Sequence, residues 1–148
     1  MTREQKYPTT GTFQFYNANP KNRITGDCVI RAISTATRRS WDDTYRGLFE
    51  VGFKAKRSMT EKGTYTAYLA SLGWLKMPQP KREDGTKYTG DQFCRLLQAQ
   101  GWTGRMVAHI GGHHVVAIVN GKVLDHWNST DGCIGNYWIE GGAWRPIV

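Results

Sequence analysis

Apolar residues recur at three- and four-residue steps through the first two thirds of the chain, then at alternate positions through the last third. From Cys28, the positions Val29, Ile30, Ala32, Ile33 and Ala36 fall on one helical face. The spacing predicts a helix opening at Cys28, capped by Thr25 or Asp27. "SWDDTYRGLFEVGF" predicts a second helix, with Ser40 and Asp43 spaced as in a capping box. Within it Trp41, Tyr45, Leu48 and Phe49 recur at core spacing. "KGTYTAYLASLGW" predicts a third helix ended by Gly73, and "GDQFCRLLQAQGW" a fourth ended by Gly101. In the fourth, Phe93, Cys94, Leu96 and Leu97 point inward. Between these two helices, "MPQPKREDGTKYTG" reads as an exposed loop rich in proline and charge.

The period then changes. "GRMVAHI", "HHVVAIV", "KVLDHWN" and "NYWIE" are short runs rich in β-branched and aromatic residues, separated by glycine-bearing turns. Asn120-Gly121 between two of them is a strong hairpin signal. The expectation is a single α+β domain over residues 1–148: a polar segment at 1–21, helices over 22–102 and an antiparallel sheet over 103–148.

Composition and charge add to this picture. At 148 residues the chain is long enough to bury a real core. No apolar run is long enough to span a membrane, and "MTREQKYPTTGTFQFY" lacks the apolar centre of a secretory signal. Three cysteines without CxxC spacing predict no disulfide framework and a cytoplasmic chain with reduced thiols. The net charge of +8 is uneven: residues 1–60 carry a net of +6 and residues 106–148 a net of −1. A basic front half could meet nucleic acid or another acidic partner. No Lys/Arg block or arginine-rich helix face reinforces that possibility.

The candidate chemistry begins at "NRITGDCVIRAIS". Cys28 stands where a polar turn gives way to a helix, facing the positive end of the helix dipole, which favours thiolate over thiol. All four histidines lie in "HIGGHHVVAIVNGKVLDHW". A two-residue turn at Asn120-Gly121 pairs Val119 with Lys122 and Val116 with Asp125. His114 and Asp125 are then diagonal neighbours on one face, about 7–8 Å apart at the backbone and within side-chain reach. A register slip of one would instead favour His113 with Asn128. An imidazole oriented by a carboxylate can take a proton from a thiol and return it to a leaving group.

The order of cysteine at a helix start, histidine opening a strand and then an acidic residue resembles the papain-like cysteine peptidase superfamily. The similarity is greatest to small, largely uncharacterised bacterial and phage members. It is carried by "GDCVIRAIS" with Trp41 and Tyr45, by "GWLKMPQPKREDGTKYTGDQF" and by "HVVAIVNGKVLDHWN", across most of residues 20–138. The resemblance implies Cys28 as nucleophile, His114 as general base and Asp125 as the orienting residue. It also implies Asn22, six residues before Cys28, as an oxyanion donor beside the Cys28 amide. Papain uses Gln at that place and Asn as its third member, so this chain departs from it twice. The implied activity is hydrolysis of an amide or isopeptide bond in a peptide or protein, with no organic cofactor and no metal required. Trp127, beside the histidine and aspartate, could shelter their bond from water.

Three alternatives stand beside this reading. The histidines, with Cys28 or Cys133, could bind zinc, although no HExxH or CxxC is present and His113 and His114 point to opposite faces. The basic half and the aromatics could make a non-enzymatic binder of nucleic acid or an acidic protein. The same thiol site could also serve a transferase or a deamidase, since each proceeds through a thioester, or persist as an inactive scaffold.

Overall fold

The computed structural model describes residues 1–148 and has an α+β architecture, with five helices and a six-stranded mixed sheet. The helices are α1 (Arg3–Lys6), α2 (Cys28–Thr37), α3 (Trp41–Ala55), α4 (Lys62–Ser71) and α5 (Gly90–Ala99). The strands are β1 (Phe13–Phe15), β2 (Trp74–Met77), β3 (Arg105–Ile110), β4 (His114–Val119), β5 (Lys122–Asp125) and β6 (Ile134–Glu140). No helix is long and apolar enough to cross a membrane.

The four helices and four strands read from periodicity are present, but the expected layout of helices followed by an antiparallel sheet needs correction. The sheet order is β1-β5-β4-β3-β6-β2, so both edge strands come from before residue 103, ahead of the expected sheet region. β1 lies parallel to β5, with Phe15 beside Asp125. β2 runs antiparallel to β6. The segment 1–21 is therefore structured, and 22–102 is not purely helical. Both strands are only three or four residues long, too short for a period of two to stand out.

The sheet carries a core on each face, because successive strand residues point to opposite sides. Val107, Val115, Ala117 and Trp138 pack against Val29, Ile30, Ile33, Leu48, Tyr65 and Leu69 from α2, α3 and α4. Met106, Ala108, Ile110, Val116 and Ile118 pack instead against Phe93, Cys94 and Leu97 of α5. The helices thus sandwich the sheet.

Local signals account for most element ends. Ser40 accepts from the Asp43 amide at 3.0 Å and starts α3. Thr89 and Gln92 form a reciprocal capping box on α5. Asn120 and Gly121 both take positive φ, 52° and 73°, as a tight hairpin turn requires. That turn fixes the register: Val119 faces Lys122 and Ala117 faces Leu124.

Two further expectations are corrected. Asp27 occupies the N-cap of α2 without capping it, since its carboxylate is engaged elsewhere. On α3 only Leu48 of the four spaced apolar residues is fully buried; Tyr45 and Phe49 face solvent.

Candidate active site

Cys28 is the first residue of α2, which packs along β4. Its amide belongs to the first helical turn, where N–H groups have no intrahelical acceptor. The loop before it is tied down by Asn19. The Asn19 side-chain oxygen accepts from the amides of Lys21 and Arg23, and its Nδ2 donates to Asp27 at 3.0 Å.

The hairpin of β4 and β5 brings His114 and Asp125 together as its register predicts. His114 Nε2 and Asp125 Oδ2 lie 2.6 Å apart. With Nε2 committed to the carboxylate, Nδ1 is the ring nitrogen left for Cys28, whose thiol lies close enough to the imidazole for each to shift the other's pKa. Trp127 sits against the imidazole, ring centroids 4.8 Å apart, covering one side of the His–Asp bond. Asp125 is 2% exposed while Cys28 is only half-buried, so the carboxylate is dry and the thiol reachable.

The electrostatics follow from these contacts. Burial alone would raise the Cys28 pKa, but the His114 hydrogen bond and charge, the Val115 backbone and Arg31 together bring it below the ordinary thiol value. Burial alone would lower His114; its bonds to Asp125 and Cys28 instead push it up to about 9. Asp125 is held below the usual carboxylate range by His114, Arg31 and the His126 amide, against the cost of burial. Both shifts run in the direction that favours a thiolate beside an imidazolium. Cys94 shows the contrast: buried against α5's neighbours, its thiol is pushed up to about 12.

Behind the pair stands a buried network that periodicity does not reveal. Arg31 Nε donates to Asp27 Oδ1 at 2.7 Å, and Arg31 Nη1 donates to Asp125 Oδ1. Trp41 Nε1 from α3 donates to the other oxygen of Asp27 at 3.0 Å. Asn19 and Trp41 thus both hold Asp27, and a chain of bonds runs from it through Arg31 and Asp125 to His114, beside Cys28. A signal existed in "DCVIR": a charged pair four residues apart, its arginine set inside an otherwise apolar run.

The remaining sequence candidates sit as follows. Asn22 is exposed in the loop at positive φ, 53°, and its side-chain oxygen accepts from Asn17 at 3.2 Å. It lines an open cleft of about 250 Å³ with Arg3, Phe15 and Ile24. No hydrogen bond joins it to Cys28, and its amide hydrogens are uncommitted. The fallback pair His113–Asn128 is not formed. His113 is exposed in the β3–β4 turn, and Asn128 Oδ1 accepts from the Thr130 amide and hydroxyl. His126 is buried, its backbone carbonyl accepting from Arg3 Nε at 2.6 Å and its pKa lowered first by burial and then by Arg31. No three His, Cys, Asp or Glu side chains group closely enough to hold a metal ion.

Compared with protein-family models, with curated proteins and with solved structures, the chain finds no match.

Proposed function

We propose that the chain is a papain-like thiol hydrolase that cleaves an amide or isopeptide bond in a peptide or protein. The observation that carries this reading is the imidazole of His114, held by Asp125 at 2.6 Å and set beside Cys28 so that the thiol pKa is lowered and its own is raised to about 9. In the first step the Cys28 thiolate attacks the carbonyl carbon, and the carbonyl oxygen takes the negative charge. The Cys28 amide and the free amide hydrogens of Asn22 are its proposed donors. As the intermediate collapses, the C–N bond breaks and the His114 imidazolium gives its proton to the leaving amine, leaving a thioester. Water then attacks the thioester while His114 takes a proton from it. Release of the acid returns the thiolate–imidazolium pair. Asp125 stays ionised throughout and holds the ring by Nε2. Three free cysteines fit a reducing compartment such as the cytoplasm.

The test is the rate of alkylation by iodoacetamide against pH, followed residue by residue by mass spectrometry. Cys28 should react rapidly below neutral pH, and His114→Ala should slow it at least about tenfold at pH 6. A Cys28 that reacts no faster than an ordinary exposed thiol, or is indifferent to His114→Ala, sinks the proposal. A positive result leads to screening amide, isopeptide and side-chain amide substrates, since hydrolysis, transamidation and deamidation all pass through the same thioester.

A second reading, a site for an acidic partner, is favoured by one observation. Arg38, Arg39 and Arg105 line a cleft of about 300 Å³ with Tyr16, and none of the three has a carboxylate partner. It lies at the far end of α2, roughly 15 Å from Cys28 at helical rise. Binding of an oligonucleotide that weakens steeply with salt would support it.

A further inference from the structure

Helix α3 carries large aromatic residues on the side away from the core. Leu48 is fully buried, whereas Tyr45, Phe49 and Phe53 are 41%, 53% and 62% exposed. They form a continuous stripe: Phe49 stacks on Phe53 at 5.9 Å, and Tyr45 stacks on Trp41 at 5.3 Å. Three adjacent, mostly exposed aromatic rings on one helix are costly to leave in water.

The charges at the ends of this stripe are ordered. Asp42 lies in the first turn of α3, seven residues before Phe49, and Lys56 ends the helix in a left-handed conformation, seven residues after it. From there Lys56 turns its Nζ over the Phe53 ring at 4.3 Å, which sets a positive charge at that end of the stripe. Neither Asp42 nor Lys56 has an ion-pair partner within the chain. Asp42 and Lys56 stand equally far from Phe49 along the chain, towards opposite ends of the stripe and of opposite sign.

That arrangement is self-complementary about a two-fold axis through Phe49. If a second α3 lies antiparallel on the first, Phe49 meets Phe49, Tyr45 meets Phe53, and Asp42 meets Lys56 at both ends. The helix dipoles are then also antiparallel. A polyanion such as nucleic acid fits less well, because Asp42 stands on the stripe itself. We infer that this face of α3 is covered by a second copy of the chain, forming an isologous dimer.

Sedimentation equilibrium across the micromolar to millimolar range tests this directly. The wild type should dimerise. Phe49→Asp, at an exposed position, should weaken dimerisation at least about thirtyfold, as loss of a central aromatic anchor does. Asp42→Lys alone sets two lysines against each other at both ends and should also weaken it. The double swap Asp42→Lys/Lys56→Asp restores opposite charges and should restore the dimer, a rescue that a merely misfolded variant would not show. A wild type that stays monomeric throughout overturns the inference. So does self-association that survives Phe49→Asp unchanged, or a double swap that is folded by circular dichroism yet monomeric.

Discussion

Arg31 on the first helical layer and Asp125 at the end of β5 form a buried ion pair across 94 positions of sequence. Asp125 gives one oxygen to this arginine and the other to His114. The guanidinium in turn reaches back to Asp27, one residue before the thiol. The orientation of the imidazole is thereby tied to the helix that presents Cys28, and not only to the hairpin that bears it.

Removing Arg31 should be costly. Arg31→Met takes from the buried Asp27 and Asp125 the guanidinium they share, and the expected loss is about 3–5 kcal/mol at neutral pH. Both carboxylates have lowered pKa values in the fold, so their stabilisation is present above 3.8 and lost as pH falls through their lower folded values. In the variant those pKa values rise, and the two carboxylates take up protons at a higher pH than in the wild type. The gap between variant and wild type in urea melts should therefore narrow on acidification. A constant gap would show that the arginine acts by packing alone.

Asp125→Asn should release His114 from its raised value. The imidazole now titrates at about 9 and should move down toward its ordinary 6.5, because the carboxylate that favours the charged ring is gone. Proton titration of His114 by NMR reads this shift. Alkylation of Cys28 should slow in parallel at about pH 7.5, between the two values, where most imidazolium partners are lost. An unmoved His114 would mean that Cys28 alone sustains its charge.

The three thiols should separate cleanly under labelling. Cys94 is fully buried with its pKa pushed up to about 12, and should label only on unfolding. Cys133 is exposed and should label in the native protein. Quantitative mass spectrometry with and without denaturant checks both, and native labelling of Cys94 would contradict the packing of α5.

The two faces of α3 predict opposite mutational outcomes. Leu48→Ala should cost about 2–5 kcal/mol, because it opens a cavity under fully buried side chains. Phe49→Ala, one residue on, should change monomer stability by less than about 0.5 kcal/mol. Denaturant melts of dilute protein compare them.

Gly52 has little room for a side chain. A Cβ there would meet the Arg57 carbonyl oxygen at 2.7 Å and the Met59 backbone at 3.2 Å. Gly52→Ala should therefore cost about 1–3 kcal/mol despite alanine's better helix propensity. A thermal shift upward would show that the turn after α3 can move aside.

Much of this architecture is legible in the chain because it is written locally. The hairpin register follows from Asn120-Gly121, and the meeting of His114 with Asp125 follows from that register. The start of α2 at Cys28 follows from where the apolar period begins. What periodicity cannot supply is the identity of the surface each face meets. Tyr45 and Phe49 have core spacing yet no core over them, and Asp27 has a cap's position but bonds to Arg31, Asn19 and Trp41 instead. The edge strands β1 and β2 owe their conformation to partners far along the chain, with too few residues to announce it.

The parallel pairing of β1 with β5 has a temporal consequence. Asp125 is flanked on one side by the hairpin and on the other by Phe15, and Arg3 reaches His126 across 123 positions. Contacts of that span carry the largest loop-closure cost and form after local ones. A chain emerging from the ribosome would thus display α2 and its cysteine long before the imidazole, the carboxylate and their flanking strand exist. Until then Cys28 is an ordinary thiol at a fraying helix end. Its lowered pKa is a property of the finished fold, since the imidazole and the carboxylate that set it are made long after it.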